Sequence, residues 1–214
     1  MELDSLTKIA QIIFYSGGLL LGALTYRRAK STILNTVNTE YHKKVIEHLA
    51  ELSESLYLEF DFSSAALWYR QNDFVQVVDK LHEEIADRKD EIIAKGQVDA
   101  GIMASPKMIQ ISTLSKKYKS DPFLPDPIRN KLVSLFEKRD KAMSQAYLSV
   151  MLEYMSELAK GRHWDTLDTN KHWLQEKVEE RLEKGGAGFK DVNEAVNEIR
   201  LEIHRYFKQF SPAT

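Results

Sequence analysis

An uncharged run near the start of the chain ends at a cluster of basic residues. Residues 9–26 read IAQIIFYSGGLLLGALTY, and Arg27, Arg28 and Lys30 follow almost at once. An α-helix rises about 1.5 Å per residue, so a run of this length extends about 27 Å and nearly matches the ~30 Å hydrocarbon core of a bilayer. The run therefore predicts a single transmembrane helix.

Two other interpretations of this run compete with the membrane helix. A secretory signal peptide has a basic start, a shorter apolar core and a small-residue cleavage site, whereas this chain starts with Glu2 and Asp4. A buried helix of a globular protein normally carries a regular polar face, but only Gln11, Ser16 and Thr25 interrupt the run. Both comparisons favour the membrane helix and leave the other two readings as alternatives.

The basic residues on the two sides of the run predict its orientation. Arg27, Arg28 and Lys30 follow it, whereas Lys8 precedes it, and Lys and Arg collect on cytoplasmic flanks. We therefore expect residues 1–8 to lie outside the cell and the body of the protein to be cytoplasmic, with the three basic residues contacting anionic lipid. The chain has no cysteine, which is compatible with a cytoplasmic body.

A small-residue motif lies inside the uncharged run. Gly18 and Gly22 form a GxxxG pattern, which lets two helix backbones approach each other closely. The pattern predicts that this helix packs against a second copy. The alternative is that both glycines simply face lipid, because GxxxG is frequent in apolar segments by chance.

The segment that follows favours long helices. Neither glycine nor proline occurs from Ala23 to Lys95, so nothing forces a helix to stop there. Apolar residues at spacings of three and four predict a face that packs against another helix. They are Ile33, Val37, Tyr41, Val45, Leu49, Leu52 and Leu56. Residues 31–39 are rich in Thr and Asn and predict a weak point in the helix. We expect residues 27–60 to form a helical stalk and 61–214 an all-α domain.

The rest of the chain reads as further helices with recognisable ends. Ser105 followed by Pro106 is typical of a helix start, and Gly96, Gly161 and residues 185–186 are typical of helix ends. No segment shows the period-two alternation of a strand. The predicted fold class is all-α, with a single N-terminal transmembrane helix followed by a helical bundle or by extended helical hairpins.

The strongest candidate for chemistry is the connection at residues 163–172. His163, Asp165, Asp168 and His172 are residue types that bind zinc and other divalent ions. Their spacing matches no metal motif, however, and Asp and Thr before a helix also serve as caps. Capping is the favoured interpretation, and the four residues are weak metal-site candidates.

The other motifs indicate no catalytic or cofactor site. Residues 185–190 (GGAGFK) are only faintly similar to a phosphate-binding loop, because no strand precedes them and no Ser or Thr follows Lys190. The net charge of −2 argues against a nucleic-acid partner, whose phosphates require a basic surface. We predict no cofactor and no bound metal, we identify no small-molecule substrate, and we predict that the protein is not an enzyme.

Many helix-packing faces without reaction chemistry favour a function in protein interaction. The leading hypothesis is a single-pass membrane protein whose cytoplasmic helical body is a scaffold for a protein partner or for its own oligomer. The alternative is a membrane-active effector or sensor, for example a bacterial defence or toxin-type protein, whose body gates or oligomerises the span. An enzyme that uses the 163–172 cluster is a third, less favoured hypothesis.

Overall fold

The computed structural model describes residues 2–67 and 73–209, with side chains for 17–67 and 74–209. The helices in these ranges are α1 Glu2–Leu58, α2 Asp73–Ile85, α3 Lys89–Lys95, α4 Pro106–Lys119, α5 Asp126–Ala159, α6 Leu167–Lys184 and α7 Phe189–Lys208. A short 3-10 turn, Trp164–Thr166, precedes α6. The described residues contain no strand, so the all-α part of the predicted fold class is confirmed.

The predicted transmembrane helix at residues 9–26 is wrong. Among the residues that the structure describes, no helix is long and apolar enough to cross a membrane. The described side chains of the uncharged run are those of 17–26, and those of 9–16 lie outside the described residues. The helix itself continues without a break past Arg27 and Arg28 to Leu58.

The predictions that depended on the membrane span are wrong for the same reason. They are the single-pass membrane localisation, the membrane-anchored scaffold and the effector that gates the span. Residues 1–8, which were expected outside the cell, have side chains outside the described ranges. Arg27, Arg28 and Lys30 are exposed along α1, and their contact with anionic lipid stays a prediction.

The chain divides into two compact units, residues 1–47 and 48–214. The described part of the first unit is one continuous helix, the beginning of α1. This helix is unbroken through residues 31–39, where a weak point was predicted. Thr32, Thr36 and Thr39 each donate a hydrogen bond to the carbonyl oxygen four residues earlier, at 2.8–3.0 Å. These bonds satisfy the threonine hydroxyls within the helix.

The second unit is built around α5, which contacts α3, α4, α6 and α7. Ile128, Leu132, Phe136 and Leu158 are spread along α5, and each is at most 2% exposed. Complete burial of a side chain of this size contributes about 1.5–3 kcal/mol. Apolar residues of α2, from Phe74 to Ile85, are also buried, and α2 contacts α6.

Local sequence explains where several helices begin and end. The Ser105 hydroxyl accepts a hydrogen bond from the Met108 backbone N–H at 3.2 Å and so caps α4, with Pro106 in the first turn. Gly96 ends α3 with a φ of 66°, a backbone conformation that residues with a Cβ atom rarely adopt. These predicted boundaries are confirmed.

Candidate functional site

The apolar face predicted along α1 has two parts that differ in exposure. Its members from Val45 to Leu56 are at most 4% exposed, whereas Ile33, Val37 and Tyr41 continue the same spacing but are 64%, 62% and 43% exposed. We name the open part, with its apolar neighbours, the exposed stripe. It comprises Tyr26, Ile33, Leu34, Val37 and Tyr41. The helix thus presents an apolar surface that the single chain leaves open.

Threonines lie on the face of α1 opposite the exposed stripe. Thr25, Thr32, Thr36 and Thr39 are separated by seven, four and three residues, which keeps them on one side of a helix. Each hydroxyl donates a hydrogen bond to a carbonyl oxygen of α1 itself. The four threonines therefore give α1 a polar strip away from the exposed stripe, although Leu20, Leu21 and Leu24 earlier in the helix are also exposed.

Gly18 and Gly22, which were predicted to pack against a second helix, precede the exposed stripe. A Cβ atom on either glycine would meet no heavy atom within 4 Å. Their backbone is open to approach in the single chain, and their packing role stays a prediction.

A cleft of about 450 Å³ lies between the end of α1, α4 and α5. Leu52, Leu56 and Phe136 contribute apolar wall, and polar groups such as Ser55 and Gln110 line the rest. Ligand sites are typically apolar cavities of about 300–1,000 Å³ that contain a few placed polar groups. The volume of this cleft lies within that range, whereas half of its lining residues are polar or charged.

Three charged side chains meet beside the cleft. Glu59 accepts hydrogen bonds from Lys107 Nζ at 3.0 Å and from Arg139 Nη1 at 2.9 Å, and the Arg139 side chain is 1% exposed. Burial alone would raise the pKa of Glu59, but the positive charges of Arg139 and Lys107 outweigh burial and lower it. The Glu59 carboxylate is therefore ionised at neutral pH, and its ion pairs connect the segment after α1 to α4 and α5.

His48 lines the same cleft and is held by Asp121. The distance from His48 Nε2 to Asp121 Oδ2 is 2.8 Å, and the other Asp121 oxygen accepts a hydrogen bond from the Phe123 backbone N–H at 2.9 Å. Burial, with the negative charges of Asp121 and Glu59, raises the pKa of Tyr118 nearby. A histidine oriented by a carboxylate has the residue types of a proton-transfer pair.

The four weak metal-site candidates of the 163–172 connection do not come together. His163, Asp165, Asp168 and His172 are all exposed, and Asp165 has 98% of its side chain in contact with solvent. Within the described residues, no group of three or more His, Cys, Asp or Glu side chains could hold a metal ion. Among the described residues, the connection therefore offers no cluster of metal ligands.

The same connection contributes instead to a buried polar network that local sequence does not reveal. The Tyr154 hydroxyl lies 2.7 Å from His82 Nε2 and accepts a hydrogen bond from Asn170 Nδ2 at 2.9 Å. Trp173 Nε1 donates to Asn170 Oδ1 at 3.2 Å. Burial raises the pKa of Tyr154 to about 12, and burial lowers the pKa of His82. These groups rigidify the packing of α2, α5 and α6.

The glycine-rich residues 185–190 end one helix and begin the next. Gly186 N–H donates to the Glu183 carbonyl at 3.0 Å, and Ala187 N–H donates to the Leu182 carbonyl at 2.9 Å. Gly186 has a φ of 64°, which is the left-handed conformation common after a helix. The interpretation as a helix end is confirmed.

Comparison with known proteins yields one partial likeness to report. A stretch of 66 residues is 33% identical to tRNA pseudouridine synthase A of Colwellia psychrerythraea and covers 29% of this chain and 26% of that protein. The chain thus matches about a quarter of that protein's length. No known protein family matches the chain, and no solved structure matches it. Part of the chain therefore resembles part of an enzyme, which gives no support to the prediction that it is not one.

Proposed function

We propose that this is a self-associating helical protein, in which the exposed stripe of α1 packs against the exposed stripe of a second copy. The observation that carries the proposal is the exposure of Ile33 and Val37, 64% and 62%, two apolar side chains one helical turn apart on α1. Neighbouring exposed apolar side chains mark interaction surfaces. A second helix on the stripe would cover these side chains.

Burial of the stripe supplies the driving force for this association. Each large apolar side chain that becomes fully buried contributes about 1.5–3 kcal/mol, and joining two molecules costs about 4–15 kcal/mol. Each copy brings the five side chains of the stripe, and partial burial reduces their contribution. We therefore expect a dissociation constant on the order of micromolar.

The charges along α1 favour an antiparallel pair. Residues 27–30 carry three positive charges, whereas residues 37–40 carry one negative charge, that of Glu40. A parallel pair would bring the two positive segments together, and like charges repel. An antiparallel pair places each positive segment beside the segment that contains Glu40 of the other copy. Full overlap of the two stripes then puts Tyr26 of one copy across from Tyr41 of the other.

Sedimentation of the full chain at increasing concentration tests the proposal. Wild type should shift from monomer to dimer in the micromolar range, and Val37→Glu should weaken the dimer at least tenfold because it buries a charge in the stripe. Thr39→Glu places the same charge on the opposite face and should behave like wild type. A wild type that stays monomeric, or an equal effect of both substitutions, would contradict the proposal.

Catalysis on RNA is a second candidate function, supported by the 66-residue likeness to tRNA pseudouridine synthase A. The cleft beside His48 and Asp121 offers a place for a substrate. Incubation with unmodified tRNA and analysis of its nucleosides tests this function. Pseudouridine formed by wild type and not by His48→Gln would support it, and the absence of product with wild type would reject it.

A further inference from the structure

A groove rich in positive charge runs along the outer side of α5. It has a volume of about 670 Å³ and is lined by residues of α4 and α5. Its charged lining consists of Lys119, Arg129, Lys138 and Lys141 with one carboxylate, that of Glu137. We name it the basic groove. The net charge of −2 averages over the chain and conceals this local excess of positive charge.

Two of the four cations in the basic groove have a fixed or local partner. Arg129 is held by an aspartate and by two backbone carbonyls, and Lys119 lies 3.5 Å from Glu137 on the open surface. Exposed ion pairs of this kind contribute about 0–1 kcal/mol, so Lys119 can readily exchange its partner. Lys138 and Lys141 are exposed, and no ion pair engages them in the described part of the chain. The groove therefore has positive charge available for an anionic ligand.

Uncharged hydrogen-bonding groups lie between these cations. Asn130, Ser134 and Lys138 line both the basic groove and an adjoining cavity of about 360 Å³. Gly186 leaves the space that the Lys138 ammonium occupies, because a Cβ atom at Gly186 would lie 2.8 Å from Lys138 Nζ. The amide, the hydroxyl and the ammonium together form a continuous line of donors on one side of α5.

We propose that the basic groove binds the phosphate backbone of a single-stranded nucleic acid. The groove spans α5 from Arg129 to Lys141, about 18 Å at 1.5 Å per residue, and a line of cations of this length suits a linear polyanion. Backbone contacts of this kind carry no base information, so binding is independent of sequence. An acidic peptide fits less well, because peptide docking depends on apolar anchors and Val133 is the one apolar residue in the lining.

Salt dependence of binding to a fluorescently labelled 20-nucleotide uridine RNA tests this proposal. If the groove neutralises about three phosphates, the logarithm of the binding constant should fall with the logarithm of salt concentration with a slope of about −2. Lys138→Gln/Lys141→Gln should reduce the slope to about −0.7, because two phosphate contacts are lost. Lys43→Gln/Lys44→Gln removes the same charge from exposed positions of α1 and should leave the slope unchanged.

Three results would overturn the nucleic-acid proposal. The first is the absence of RNA binding by wild type at about 25 mM salt. The second is an equal reduction of the salt-dependence slope in the two double variants. The third is tighter binding of polyglutamate than of the RNA. The helical circular dichroism of each double variant must match that of wild type. We expect a match, because both variants replace exposed lysines. The proposal is independent of self-association through α1.

Discussion

His82 and Tyr154 illustrate how burial controls protonation at a single residue of this fold. The two side chains are hydrogen-bonded at 2.7 Å. Burial lowers the pKa of His82, with the nearby Asp79 opposing that effect. The folded state therefore favours the neutral ring, whereas the unfolded chain titrates with a pKa of about 6.5. Between the two pKa values, the unfolded chain binds more protons than the folded one.

Stability should consequently fall on acidification through this histidine. Because the unfolded state binds the extra proton, the free energy of unfolding decreases as the pH drops below about 6.5. Urea unfolding measures the free energy of unfolding at about pH 7.5 and at about pH 5.5. The decrease between the two pH values should be larger for wild type than for His82→Gln. An equal loss in the two proteins would refute this role of His82.

At the scale of the helices, much of the fold follows from local sequence. Ser105 and Gly96 act on their own turns, so capping chemistry predicts where α4 begins and where α3 ends. The spacing along α1 predicts an apolar face correctly, but the same spacing continues on both sides of Val45 and does not show which part is covered. The apolar composition of residues 9–26 likewise suggested a span that the described helix does not provide.

The polar clusters could not be predicted, because their members are distant in the sequence. Glu59 pairs with Lys107 and Arg139, which are 48 and 80 residues away, and His82 meets Tyr154 across 72 residues. No spacing rule links such positions before the helices have packed. The 163–172 candidates were visible only because they are adjacent in sequence, and the fold leaves them exposed.

The ion pairs of Glu59 should contribute strongly to the packing of α4 and α5. Glu59→Gln removes the carboxylate that two largely buried cations share, and loss of one member of a buried ion pair costs about 3–5 kcal/mol. Denaturant unfolding measures this cost. Glu180→Gln removes an exposed partner of Lys184 and should cost less than about 1 kcal/mol. Similar losses in both variants would contradict the structural role of Glu59.

At the scale of the whole molecule, two of the proposed functions depend on surfaces of different chemistry. The exposed stripe of α1 is apolar, and the basic groove on α5 is strongly charged. Each surface calls for a partner of different chemistry, a second copy for the stripe and a polyanion for the groove. The two can be disabled separately, by Val37→Glu and by Lys138→Gln/Lys141→Gln.

Cross-linking of single cysteines tests the antiparallel pair, because the natural chain has no cysteine. Ile33 lies at the centre of the overlapping stripes, so Ile33→Cys of one copy should link to Ile33→Cys of the other. The thiol cross-linker should match the distance between the axes of packed helices, which is about 8–10 Å. Two Tyr26 positions lie about 22 Å apart along an antiparallel pair, so Tyr26→Cys alone should not link.

The most direct measurement is cross-linking in a mixture of Tyr26→Cys and Tyr41→Cys proteins. Antiparallel self-association predicts efficient linkage of one variant to the other, and little linkage of either variant to itself. Thr39→Cys, on the opposite face of α1, provides the background level. Linkage in the mixture no higher than that background would contradict self-association through the exposed stripe, and linkage of Tyr26→Cys to itself would contradict the antiparallel arrangement.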